Sequence, residues 1–334
     1  MGSRQLSALA LLLIACCLPG CARFGQPGTH VPRKGDEIVV AGQMFHSGTR
    51  VVLWTDPGGY DAYRVERRFS PLSKSDWKTS SEENHSLTSP NRYGLRRSVL
   101  SPAEAEEVRG GGWPLPLLQQ KVDQFVIHFD ACGTSKQCFK VLQDVRDLSV
   151  HFMLDLDGTI YQTLDLKERA WHASSANSRS IGIEIANIGA YPSPDAPLLK
   201  KWYYSNDQGE TFISIPSELR PSGLLNTNVV LQPARNEIIN GNVQHQSLSQ
   251  YDFTPQQFES LIKLTATLCK IFPNLKCQYP TDSNGKLVLE KLPDDQLNSY
   301  HGLLGHYHVQ SNKDDPGPAF QWDKLIDGAN KLLK

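Results

Sequence analysis

Phe125-Val126-Ile127-His128-Phe129 is an apolar run of strand type that carries one imidazole and ends in a polar turn. The segments on its C-terminal side set the fold class. A helix is expected over about 136–147, with Phe139, Leu142 and Val145 on one face. A hairpin over 151–156 and 159–164 turns at Asp157-Gly158, a strong two-residue turn signal. Ser180-Ile181-Gly182-Ile183-Glu184-Ile185 alternates as a strand, its apolar residues falling on one face. Thr254-Pro255-Gln256-Gln257 caps a helix running to about Ile271, and a last helix is expected over about 319–333. Strands alternating with helices indicate an α/β domain with a mixed central β-sheet flanked by helices, beginning near residue 121 and running to 334.

Two regions depart from that rhythm. Residues 22–120 form a tether and a β-rich N-terminal extension, with strands expected at 37–41 and 50–54 and a further one over 60–68. The polar, Ser-rich run from 70 to 91 has no periodicity and reads as loop. Ser101-Pro102-Ala103-Glu104 then caps a short helix to about Val108, broken by Gly110-Gly111-Gly112. Residues 190–250 are rich in Pro, Ser, Asn and Gln, with an aromatic patch at Trp202-Tyr203-Tyr204, and read as a long insertion rather than a second core. Residues 276–297 read as a polar loop.

The chain has 334 residues and a formal charge of −1 with both signs mixed, so it carries no basic footprint for nucleic acid. Its chemistry concentrates near the end, in Gly305-His306-Tyr307-His308-Val309-Gln310-Ser311-Asn312-Lys313-Asp314-Asp315-Pro316-Gly317-Pro318-Ala319-Phe320. Two imidazoles, a lysine and two carboxylates lie there between an apolar run and a helix start. Nitrogen and oxygen donors at this spacing suit zinc, and a catalytic zinc needs three protein ligands plus an open position. This stretch can supply two, and His128 is the candidate third. Taken alone, Asp314 and Asp315 before a proline read as turn residues, and His46 and His85 as surface or packing residues.

Several short pieces together resemble a known family. Val126-Ile127-His128, Ser149-Val150-His151-Phe152 with Asp157-Gly158-Thr159-Ile160-Tyr161-Gln162, Ala170-Trp171-His172-Ala173, Ser180-Ile181-Gly182-Ile183-Glu184, and Gly305-His306 with Lys313-Asp314-Asp315-Pro316-Gly317-Pro318-Ala319-Phe320 occur in the order found in zinc-dependent N-acetylmuramoyl-L-alanine amidases. That family includes the anhydromuropeptide amidases and the peptidoglycan recognition proteins. The resemblance implies that His128, His306 and Asp315 bind Zn2+. It implies that Glu184 is the general base and that Lys313 stabilises the oxyanion. The interval from His306 to Lys313 is one residue shorter than in near relatives, so His308 is the alternative ligand; His306 follows Gly305 directly, as the family pattern has it. Some relatives place a catalytic tyrosine where Val150 stands; that tyrosine is absent here, and His151, which follows, is expected to be structural. Trp171, His172 and Asn177 are candidate substrate contacts. The implied reaction is hydrolysis of the amide between N-acetylmuramic acid and L-alanine in peptidoglycan or muropeptides. The alternative is a peptidoglycan-binding lipoprotein without catalysis.

Residues 1–21 read as an export signal, with Arg4 followed by an apolar run from Leu6 to Ala15 that is too short for a comfortable membrane span. Leu18-Pro19-Gly20-Cys21 resembles the bacterial lipobox, which implies lipidation of Cys21 and a periplasmic protein anchored to a membrane. Seven cysteines are present, and four remain after that processing: Cys132, Cys138, Cys269 and Cys277. An even number in an exported protein predicts disulfides, and the local pairings Cys132–Cys138 and Cys269–Cys277 are the simplest of the three possible. Cys132 and Cys138 also resemble the short disulfide loop after the first histidine of peptidoglycan recognition proteins.

Overall fold

The computed structural model describes residues 26–334, and residues 34–334 pack as one unit. The leader and Cys21 lie outside the described residues. No helix among the described residues is long and apolar enough to cross a membrane.

The chain begins with β1 (Glu37–Val40) and β2 (Gln43–His46), an antiparallel pair, then β3 (Val51–Leu53). Next come α1 (Trp77–Glu83), β4 (Tyr93–Gly94), α2 (Pro102–Val108) and α3 (Leu115–Lys121). The central region holds β5 (Gln124–Phe129), α4 (Ser135–Val141), β6 (Phe152–Leu154), β7 (Ile160–Gln162), β8 (Arg169–Ala170) and β9 (Ser180–Ile185). The insertion contributes α5 (Pro197–Trp202) and two hairpins, β10 (Tyr203–Ser205) with β11 (Thr211–Ile213) and β12 (Ile239–Val243) with β13 (Gln246–Gln250). α6 (Pro255–Ile271), α7 (Asp294–Ser299), β14 (Gly302–Gly305), α8 (His306–Val309) and α9 (Trp322–Leu333) complete it.

Six strands form one mixed sheet in the order β14-β5-β9-β6-β7-β3. The first four run parallel; β6 and β7 are the antiparallel hairpin turned at Gly158, whose φ of +82° needs glycine. Side-chain alternation assigns the faces. Phe125, Ile127, Ile181, Ile183 and Leu303 point to a core filled by Phe258, Leu261, Leu264 and Leu268 of α6 and Leu325 of α9. The opposite parity, Val126, His128, Gly182, Glu184 and Leu304, faces the other side. Both helix starts read from the sequence carry reciprocal caps: Ser101 with Glu104, and Thr254 with Gln257.

The N-terminal extension is not a separate module. β3 pairs in parallel with β7 as the sixth strand, and β4 pairs with β8. Arg96, wholly buried, donates to the carbonyls of Ser178 and Ser180 at 3.0 Å each and of Leu166 at 2.8 Å. The boundary expected at 121 therefore cuts through one packed unit. The loop expected over 70–91 contains α1, whose N-cap Asp76 accepts from the Thr79 amide. No strand forms over 60–68, where Tyr60 instead packs its ring on Phe139 and Tyr161. The insertion shares the core, with Leu199, Trp202 and Ile213 packing on Leu156, Ala186 and Ile188.

The expected disulfides are not formed: Cys132, Cys138, Cys269 and Cys277 are all free thiols. The pairs are nonetheless neighbours. Each meets as hydrogen-bonded thiols rather than bonded sulfurs, and that contact, with burial, pushes the Cys138 and Cys269 thiols far up.

Candidate metal centre and its cleft

Sheet register builds the site. Gly305 of β14 pairs with Ile127 of β5, so His306, the next residue, comes up beside His128. His128 pairs with Glu184 of β9. Three adjacent parallel strands thus deliver His306, His128 and Glu184 at their C-terminal ends, the end where open α/β sheets place their ligands. Asp315 arrives on the loop after α8, tied back by the Tyr307 amide donating to its carbonyl at 3.2 Å.

Three atoms converge. His128 Nδ1 lies 3.0 Å from His306 Nδ1 and 2.8 Å from Asp315 Oδ2, and His306 Nδ1 lies 3.0 Å from the same Oδ2. All three side chains are buried. Imidazole lone pairs that face one another at such range need a proton or a cation between them. A tetrahedral ion with bonds of about 2.0–2.2 Å holds its ligands about 3.3–3.6 Å apart, so this donor set fits one after spreading by a few tenths of an ångström. His308 does not take part: its Nδ1 accepts from the Gly305 amide at 2.8 Å and its Nε2 donates to the Val288 carbonyl at 2.7 Å. Both its ring nitrogens are used, which favours His306 on geometry.

The electrostatics arise from burial and neighbours. Burial and the facing His306 push His128 down to about 4, so its imidazole is neutral and its lone pair available. Burial works to raise Asp315, but His306 and His128 outweigh it and hold the carboxyl below the usual range. Burial, then Asp315 and Asp130, push Glu184 well above the usual carboxylate range, with Lys313 acting the other way.

The cavity above these groups, of about 230 Å3, is lined by His128, His306, Asp315, Glu184, Lys313 and Trp171 among others. Both residues named as catalytic from the sequence, Glu184 and Lys313, are therefore in the cleft with the three candidate ligands. Trp171 also lines it. His172 lines it as well, with both ring nitrogens engaged: its Nδ1 is 3.0 Å from His128 Nε2 and its Nε2 is 3.2 Å from Ser180 Oγ. Asn177 is buried beneath the loop, its side-chain oxygen accepting from the His172 and Ala173 amides at 3.1 and 2.6 Å, so it shapes the loop rather than contacting a ligand. His151 is structural, with Nδ1 accepting from the Gly182 amide and Nε2 beside the Glu168 carbonyl. Sequence reasoning misses Arg146, which lines the cleft from the end of the π-helical segment Leu142–Arg146 that continues α4, and Asp130, whose Oδ1 accepts from the Cys132, Gly133 and Asn187 amides and so ties the exits of β5 and β9 together.

A buried His-His-Asp cluster at the strand ends, with a carboxylate and a lysine beside it, defines a candidate metal centre of hydrolase type. Residues 118–318 match the family model of N-acetylmuramoyl-L-alanine amidases, and the chain belongs to that family. Among solved structures, it is similar to a selenomethionine derivative of AmpD at 16% identity and a TM-score of 0.32, covering 72% of this chain and 92% of that one. It is also similar to AmiD of E. coli, in complex with anhydro-N-acetylmuramic acid-L-Ala-D-gamma-Glu-L-Lys, at 18% identity and a TM-score of 0.35, covering 65% and 59%. A third is the endolysin LysCS of Clostridium intestinale URNW, at 16% identity and a TM-score of 0.33, covering 64% and 86%. No curated protein matches.

Proposed function

We propose that this chain is a zinc amidase that hydrolyses the bond between N-acetylmuramic acid and L-alanine in peptidoglycan or its soluble fragments. The observation that carries this is the meeting of His128 Nδ1, His306 Nδ1 and Asp315 Oδ2 within 3.0 Å of one another, beside Glu184 in register. Zinc held there supplies a Lewis acid and brings the pKa of water to about 7. Glu184, raised by burial, has the proton affinity of a general base; it takes the proton of the attacking water and returns it to the departing amine of L-alanine. Lys313 presents its ammonium to the carbonyl oxygen as charge develops there, a contribution of ~3 kcal/mol by comparison with other oxyanion donors. Trp171 offers a face to the glycan or stem along the cleft wall. The leader at residues 1–21 and the lipobox-like Cys21 support export to the periplasm and a lipid anchor.

Digestion of purified murein by the mature protein, read by mass, tests this. Stem peptides beginning at L-alanine, lost with a chelator and restored by zinc, are expected. Intact murein that co-sediments with the protein would replace the amidase with a binding module.

A further inference from the structure

Metal-ligating imidazoles are normally held by a partner on the nitrogen that faces away from the metal, and that partner sets both tautomer and ring orientation. Both histidines of this centre use Nδ1 toward the cluster, so Nε2 is the far nitrogen in each. His128 Nε2 lies 3.0 Å from His172 Nδ1. His306 Nε2 lies 2.8 Å from Gln310 Oε1. Each far nitrogen thus has its own acceptor, from a different element.

We propose that His172 and Gln310 are positioning residues that clamp His128 and His306 by Nε2 and so present both Nδ1 lone pairs to the metal. The inference rests on the reading of the centre as a zinc site. Three observations support it.

The protonation pattern closes without conflict. His128 Nε2–H donates to His172 Nδ1, and His172 Nε2–H is left to donate to Ser180 Oγ at 3.2 Å. Ser180 is the first residue of β9, the strand that carries Glu184, so the base and the clamp share one rigid support.

Room is kept for the His172 ring. A Cβ on Gly182, the neighbour of Val126 in register, would stand 2.5 Å from His172 Nδ1. Only glycine lets that ring lie flat against β9 and reach His128. Asn177 fixes the ring's backbone by accepting from the His172 and Ala173 amides.

Gln310 is fixed in its turn. It follows α8, four residues after His306, and its amide donates to the His306 carbonyl at 3.0 Å. Its own carbonyl accepts from Gln244 Nε2 at 3.0 Å, and the same Nε2 reaches the Tyr307 carbonyl at 2.8 Å. Gln244 belongs to the insertion, in the turn between β12 and β13.

The test is zinc affinity of the full mature chain, measured by competition with a chromophoric chelator, beside zinc stoichiometry and thermal unfolding of each variant. Wild type is expected to bind one zinc. His172→Phe and Gln310→Leu are each expected to weaken binding about 10- to 100-fold. His172→Asn, whose Oδ1 can take the place of Nδ1 as acceptor, and Gln310→Glu, which keeps the acceptor oxygen, are expected to recover most of the loss. Gln310 is partly exposed, so its pair of variants reports even if His172→Phe fails to fold. If wild type binds zinc and the apolar variants bind it equally well, the proposal is overturned and the zinc reading stands. The same holds if they bind less but the acceptor-keeping variants do not recover. If wild type binds no zinc, both fall together.

Discussion

His128 and Glu184 are register partners on neighbouring parallel strands, so the candidate ligand and the candidate base leave the sheet side by side on the same face. That spacing is set by backbone hydrogen bonds rather than by any contact between the two side chains. Removing the carboxylate should therefore leave the metal cluster standing. Glu184→Gln is expected to lower kcat by about 100- to 10,000-fold, the usual worth of a general base, with zinc content unchanged. Steady-state rates on a muropeptide, measured beside elemental analysis, check this. Lost metal with lost rate would move Glu184 from the base to the ligand set.

Lys313 lines the same cleft as that carboxylate and pulls its proton affinity down while Asp315 and Asp130 push it up. Lys313→Ala should therefore act in two ways. Loss of the oxyanion donor should cost about 100- to 1,000-fold in kcat. Loss of the positive charge should also raise the acid limb of the pH–rate profile, because Glu184 then keeps its proton to higher pH. A profile that falls uniformly without moving would remove Lys313 from contact with the base.

The insertion holds the ligand loop. Gln250, buried in β13, accepts from the Ala319 amide at 3.0 Å and donates to the Pro316 carbonyl at 3.1 Å, one residue from Asp315. Arg235, paired with Asp252 at 2.7 Å, donates to the Ala319 carbonyl. Gln250→Leu leaves buried backbone groups unsatisfied, at about 1–3 kcal/mol. Thermal unfolding should fall by a few degrees. Zinc should also bind more weakly, because Asp315 loses its brace. Undiminished zinc affinity in a folded Gln250→Leu protein would confine the insertion to a role elsewhere.

Much of this arrangement is legible in the sequence, for identifiable reasons. β5 and β9 are apolar runs whose polar residues, Gln124 and His128 in one and Ser180 and Glu184 in the other, all fall at the parity of the site, and periodicity exposes such residues directly. The starts of α2 and α6 announce themselves because their capping side chains lie within four residues of what they cap. Long-range bonding to backbone stays hidden. Arg96 serves carbonyls 70 to 84 residues away, and a carbonyl leaves no mark in a sequence. For the same reason Asn177 looks like a cleft residue: its partners, two backbone amides, are fixed only once the loop closes. The cysteines pair off as neighbours in the expected way, but proximity does not by itself make a bond.

Arg96 also gives the N-terminal extension a measurable role. A chain started at residue 118, where the family match begins, lacks β3, β4 and Arg96. It exposes the edge of β7 and leaves the carbonyls around Ser178, Ser180 and Leu166 without their donor. Those losses, together with the core positions that Ile38, Val40, Val51 and Leu53 no longer fill, are comparable with the stability of an ordinary domain. The truncated chain is expected to be insoluble or unfolded by circular dichroism, where the chain from residue 34 is folded. A cooperative unfolding transition from the 118 start would show the extension to be dispensable.

Buried titrating groups outside the metal cluster fix how stability should vary with pH. Burial, then Arg96, pushes His151 down to about 3, and burial pushes His308 to the same value. Unfolded, these imidazoles take up protons near pH 6.5, so between there and about 3 the unfolded chain binds more protons and stability falls as pH falls. Burial has the opposite consequence for Asp130 and Asp155, raised to about 7 and about 8. There the folded chain keeps protons that the unfolded chain has released, so stability falls as pH rises from about 4 to about 8. The two pairs oppose each other between about 4 and 6.5. Above that only the carboxyls still act, and below it only the histidines. The melting temperature should therefore be nearly level from about pH 4 to 6.5, and decline on both sides. Asp155→Asn stays neutral throughout, and it should flatten the decline between about pH 6.5 and 8. Melting curves at half-unit pH steps decide it, and an unchanged alkaline slope in that variant would mean that Asp155 is already ionised in the folded protein.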